Sequence, residues 1–146
     1  MKQEFNNFPK LKGLQLAISK TNSINISEIE VSAYKKFLYL LKHYPILLAV
    51  PTKAIDKVLH FHIENSELFK QDCLDYVGYK LIHTESKSKN ELAKLKSNYK
   101  LTNQFWKLNF NSLMGKHSEM AFCGLSGDDS PGSDTDDTDT GNDNDD

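Results

Sequence analysis

Apolar residues recur at intervals of three and four along most of the chain, the spacing that lines one face of an α-helix. Leu11 to Lys20 reads as a short helix. Ser27-Glu28-Ile29-Glu30 has the form of a capping box and opens a helix to about Tyr44, striped by Tyr34, Phe37, Leu38, Leu41 and Tyr44. Pro45 and Pro51 bracket a connection, after which Thr52 is placed to cap a helix running to about Asn65. Ser66 can cap the next helix, whose stripe is Phe69, Cys73, Tyr76 and Val77, with Gly78 as its stop. Ser86 to Asn90 is a polar linker, and from Glu91 a long helix carries Leu92, Leu95, Tyr99, Thr102 and Trp106 to near Gly115. No segment shows sustained period-two alternation. The predicted fold is therefore all-α, a compact bundle of about five helices.

Charge changes this picture at one end. Residues 127–146 hold nine Asp and no Lys, aliphatic or aromatic residue, so nothing there offsets the entropy of ordering the chain. The expected organisation is an N-terminal segment with a short helix over 1–25, a helical core domain over 26–116 and a disordered Asp-rich tail over 117–146. The tail has Asp-x-Asp spacing but no Glu after Glu119, so it lacks the bidentate ligand of a calcium loop and reads as a solvated acidic segment. The other 126 residues carry eighteen Lys against eleven acidic residues, a net +7. There is no Arg, the residue suited to bidentate recognition, and this disfavours sequence-specific nucleic-acid binding. The longest strongly apolar run, Ile46 to Val50, is too short for a membrane span. MKQEFNNFPK has no secretory pattern, so the expected location is cytoplasmic, where Cys73 and Cys123 stay thiols.

Candidate chemistry gathers between Pro51 and His83, a window holding Asp56, His60, His62, Asp72, Cys73 and His83. Imidazole and thiolate suit zinc and other transition metals. At about 100° per residue, His62 falls in the middle of the Ile55-Val58-Leu59 face, Asp56 and His60 lie side by side on its flank, and His60 and His62 point about 160° apart. A continuous helix cannot aim both imidazoles at one ion. Two arrangements remain. In the preferred one, His62 and Cys73 meet in the core with Asp56 or Asp72 orienting a histidine; in the other, the helix ends near His60 and His62 turns back. The alternative to metal at each position is packing: a hydrogen-bonded core His62, an Asp56–His60 ion pair and an inert Cys73.

The window resembles the glycine-rich domain-containing protein-like family of plant, fungal and bacterial proteins. That family's motif runs approximately V-P-[ST]-x-x-[VI]-D, then W-H-x-H, D-C, G and H. This chain matches at Val50, Pro51, Thr52, Ile55, Asp56, Val58, His60, His62, Ile63, Asp72, Cys73, Gly78, Leu81 and His83. Tyr34 to Leu38 and Phe110 to Gly115 are similar to flanking family segments, so the likeness spans roughly 27–116. Leu59 stands where the family has Trp, Glu64 where it has Leu, and Ile82 where it often has a first His, as in a divergent bacterial-type member. The resemblance implies a helical fold and a site, and no substrate.

Three functions follow. The leading one is a metal-binding helical protein, zinc or another transition metal being held by His60, His62, Cys73 and His83 with Asp56 and Asp72 in support. The second is a metal-free interaction module whose Lys-rich surface meets a protein partner under control of the acidic tail. The third is nucleophilic catalysis by Cys73, which requires a depressed thiol pKa. No enzymatic activity is assigned.

Overall fold

A computed structural model of the protein describes residues 11–21, 25–44 and 48–127. The Pro45 connection, the segment before Leu11 and the acidic residues from 128 onward lie outside them. The chain forms helices α1 (Lys12–Ser19), α2 (Glu28–His43), α3 (Lys53–Glu64) and α4 (Ser66–Asp72), a π-helical turn (Cys73–Val77), strand β1 (Leu81–Glu85), helix α5 (Lys89–Phe110), a short 3-10 turn (His117–Glu119) and strand β2 (Cys123–Gly127).

Local chemistry accounts for most helix ends. Ser27 Oγ accepts from the Glu30 backbone N–H at 3.2 Å and the Glu30 carboxylate accepts from the Ser27 N–H at 2.9 Å, closing the capping box that starts α2. Thr52 caps α3 and Ser88 caps α5, each through its hydroxyl at 3.2 Å. Helix α5 stops where Asn111 turns left-handed at φ 64°, and the π turn stops at Gly78 with φ 101°. A side chain at Gly78 would be strained by that φ, so the glycine is required there.

Helix α2 packs along α3, and α1 packs across α4. Their buried faces bring Leu14, Tyr34, Phe37, Leu38, Leu41, Ile55, Val58 and Leu59 into one core, joined by Trp106 from α5 and Leu125 from β2. A smaller cluster of Val50, Leu95, Tyr99 and Met120 seats the first half of α5. The architecture is thus the expected helical bundle, with one addition. Strands β1 and β2 pair antiparallel, Leu81 opposite Gly127 and Glu85 opposite Cys123, and Leu125 exchanges backbone hydrogen bonds of 2.8 and 2.9 Å with Ala49. Where the sequence reading began the tail at residue 117, the folded part continues to Gly127. β2 is a buried inner ribbon whose Cys123, Gly124 and Leu125 are all covered, so it shows no alternation that a sequence pattern could register.

One contact fixes the spacing of α1 and α4. A Cβ on Gly13 would lie 2.7 Å from the Leu68 carbonyl oxygen and 2.9 Å from Asp72 Oδ2. Gly13→Ala is therefore expected to destabilise the protein by about 1–3 kcal/mol, because the helix backbone must move to admit one methyl group. Urea unfolding measures it; a stabilised variant, as alanine's helix propensity alone would give, would show that the two helices can separate freely.

Candidate metal centre

The structure divides the candidate residues between two places. The first is buried. His62 is fully enclosed and lies between Tyr34 Oη, 2.7 Å from Nδ1, and Asp72 Oδ2, 2.8 Å from Nε2. Asp72 is itself 2 % exposed and accepts from the Gly13 and Leu14 backbone N–H groups, both at 2.8 Å. A carboxylate that accepts everywhere else requires His62 Nε2 to carry the proton, which leaves Nδ1 to accept from the Tyr34 hydroxyl. Burial pushes the Tyr34 pKa well above its ordinary value and keeps that hydroxyl a donor. Both ring nitrogens of His62 are occupied. Phe69 stands edge-on to the ring at 5.0 Å.

Cys73 follows Asp72 directly and is 2 % exposed. Burial, reinforced by the Asp72 charge, pushes its thiol up to about 12. A thiol so raised stays protonated at neutral pH, opposite to the depressed value that nucleophilic catalysis needs.

The second place lies at the edge of the bundle, where α3 meets the sheet. One ligand atom from each of Asp56, His60, His83 and Cys123 lies within 4.8 Å of all the others. Asp56 and His60 are one turn apart on α3, with His60 Nε2 3.2 Å from Asp56 Oδ1. The strand register supplies the other pair: His83 faces Leu125 and Glu85 faces Cys123, so His83 and Cys123 are diagonal neighbours on one face of the ribbon. The Cys123 Sγ–H donates to Asp56 Oδ1 at 2.9 Å, and the His60 and His83 rings meet edge to face at 5.0 Å. Burial raises the Cys123 thiol pKa, and its bond to Asp56 adds to the shift. His83 Nε2 is buried and has no hydrogen-bond partner among the described residues. An orphaned buried nitrogen is costly, and the ring that carries it belongs to the cluster of four donors.

These donors fit a borderline ion. One thiolate, two imidazoles and one carboxylate form a mixed set of the kind zinc accepts, and tetrahedral zinc needs donors roughly 3.3–3.6 Å apart. Shifts of about 1 Å or less by the side chains would close the observed separations to that range. Of the residues singled out in the sequence, His60, His83 and Asp56 come together here, whereas His62, Cys73 and Asp72 are in the core. Cys123 lies outside the Pro51–His83 window, 40 residues beyond His83, and only strand pairing makes them neighbours. Compared with family models, with curated proteins and with solved structures, the chain matches none. No described helix is long and apolar enough to cross a membrane.

The buried histidine carries a pH signature. Burial lowers the His62 pKa from 6.5 despite the opposing pull of Asp72. The unfolded chain therefore binds a proton that the folded chain refuses, and stability present above about pH 6.5 falls as the pH drops below that value toward the folded-state pKa. His83 is shifted the same way, by burial and by its neighbour His60, and adds to the same sign. The urea midpoint is expected to fall from pH 7.5 to 5.5, at no more than about 1.4 kcal/mol per pH unit for His62, and less steeply in His62→Phe. An unchanged slope in that variant would assign the effect to other groups.

Proposed function

We propose that this protein is a small helical metal-binding protein, with zinc as the ion the donors suit best, held by His60, His83, Cys123 and Asp56. The observation that carries the reading is the gathering of one ligand atom each from His83, His60, Cys123 and Asp56 within 4.8 Å of one another, at a histidine whose buried Nε2 has no hydrogen-bond partner among the described residues. Relative to the ligand set read from sequence, His60 and His83 are retained, Asp56 moves from support to the coordinating group, and Cys123 takes the place of Cys73. His62 and Asp72 act in packing, by the hydrogen bonds already described. The resemblance to the glycine-rich domain-containing protein-like family is part of the proposal, as is a reducing cytoplasmic setting, in which the free Cys73 and Cys123 remain thiols.

The test is the metal content of untagged protein by elemental mass spectrometry, after equilibration with limiting zinc. About one ion per chain is expected for the wild type and for Cys73→Ala, with loss in His83→Ala and Cys123→Ala. A wild type that takes up no zinc would overturn the reading, and so would a Cys123→Ala variant that keeps it all. Cobalt substitution gives an independent readout, because a thiolate ligand produces an intense sulfur-to-metal charge-transfer band that Cys123→Ala must abolish.

The metal-free interaction module finds support in one observation, the full hydrogen bonding of His62 in the core. It leaves the His83 nitrogen unexplained.

A further inference from the structure

Resting on the metal reading above, we propose that the coordination position held by Asp56 is exchangeable from the adjoining groove, and that it takes an oxyanion of the phosphoryl class carried by a small molecule. Asp56 and His60 belong both to the ligand cluster and to the wall of an open groove of about 580 Å³. That wall also includes Lys53, Lys57, Phe61 and Glu64. Spaced by three and four along α3, these six side chains form one stripe of the helix.

The donors are unequal in a way that sets the direction of the exchangeable position. Cys123 is 3 % exposed and the His83 nitrogen is buried, whereas the side chains of His60 and Asp56 are 46 % and 22 % exposed. The inner side of the ion is thus closed by sulfur and nitrogen, and its outer side faces the groove. Asp56 is the donor suited to give way, since it lies part-exposed on the groove wall whereas Cys123 is buried. Three protein ligands with an exchangeable fourth position are the pattern of open zinc sites.

Charge selects the class of ligand. A zinc ion neutralised by one thiolate retains a single positive charge, balanced only by Asp56. Lys57 is engaged with Glu30 at 2.9 Å, while Lys53, one turn before Asp56 and exposed, has no ion-pair partner among the described residues. Glu64, the remaining acid of the stripe, is eleven residues beyond Lys53 and roughly 16 Å along the helix. An anion between the ion and Lys53 therefore meets two positive centres, and the carboxylate it displaces is Asp56. A phosphoryl dianion can give one oxygen to the metal and another to the ammonium, whereas a carboxylate brings half the charge.

The experiment uses the full chain loaded with cobalt, with inorganic phosphate as the probe and acetate as the comparison. Phosphate is expected to shift the visible spectrum saturably at constant metal content, acetate to act more weakly, and Lys53→Ala to weaken phosphate about tenfold with the metal still at one per chain. A metal-loaded chain indifferent to phosphate overturns the inference and leaves the metal reading standing. So does a Lys53→Ala variant of unchanged affinity, equal binding of phosphate by the metal-free chain, or removal of the cobalt by phosphate. A chain that takes no metal overturns both.

Discussion

Asp72→Ala is expected to cost about 3–5 kcal/mol of folding stability, the range found when one partner of a buried charged network is removed. The carboxylate accepts three hydrogen bonds in a site closed to water, from Gly13, Leu14 and His62. Its loss leaves two N–H groups of the first turn of α1 and the Nε2–H of His62 without acceptors, each carrying a desolvation penalty. It also cuts the only side-chain hydrogen bonds recorded between α1 and the rest of the bundle among the described residues. At this chain length the thermal midpoint should fall by roughly 10 °C or more. Asp72→Asn keeps the shape and one acceptor oxygen, so it should lie between the alanine variant and the wild type. Urea unfolding of the three proteins measures the series. A loss below about 1 kcal/mol for Asp72→Ala would mean that water reaches these groups, contrary to their burial.

Zinc at about a hundred times its dissociation constant is expected to raise the stability of the wild type by about 2.7 kcal/mol, the linkage value for a ligand that binds only the folded chain. The corresponding rise in thermal midpoint is roughly 5–10 °C. The proposed site would act in this way because its four donors come from α3, β1 and β2, which are brought together only on folding. Cys123→Ser should lose most of the response. Cys73→Ala should start from a lower midpoint, since it opens a cavity in the core, and should retain the full response to zinc. Cys73 and Cys123 would exchange these behaviours if the ion sat in the core, so the pair of variants discriminates the two placements by differential scanning calorimetry with and without the metal.

The two constellations were legible to different degrees. That His62 sits in the middle of an apolar helix face follows from its spacing relative to Ile55, Val58 and Leu59, and the structure buries it there. Its partner Tyr34 shows in the sequence only as part of an apolar stripe, because a tyrosine's hydroxyl leaves no mark on hydrophobic periodicity. The Asp56–His60 pairing is likewise a property of one helix, fixed by a four-residue step. The approach of His83 and Cys123 is not. Strands β1 and β2 are five residues each, paired across about forty residues of chain, and the burial along β1 does not alternate cleanly.

By itself the sequence determined the helices in outline, the Ser27 and Thr52 caps and the opposed directions of His60 and His62, since these depend on residues within a turn or two of one another; Ser66, expected as a cap, is instead the first residue of α4, after Asn65. Ser27 with Glu30, Thr52, and Gly78 with its positive φ are local facts of backbone geometry and hydrogen bonding. The tertiary structure alone decided which polar groups share a site. It laid the N-terminus of α1 on Asp72, enclosing His62 and Cys73 in the core, and it folded β2 back onto β1 so that Cys123 met His83 over α3. The physical reason is that helix formation is governed by short-range terms, whereas the convergence of distant ligands is set by how buried faces pack, and a one-residue change of strand register would turn His83 and Cys123 to opposite sides of the ribbon.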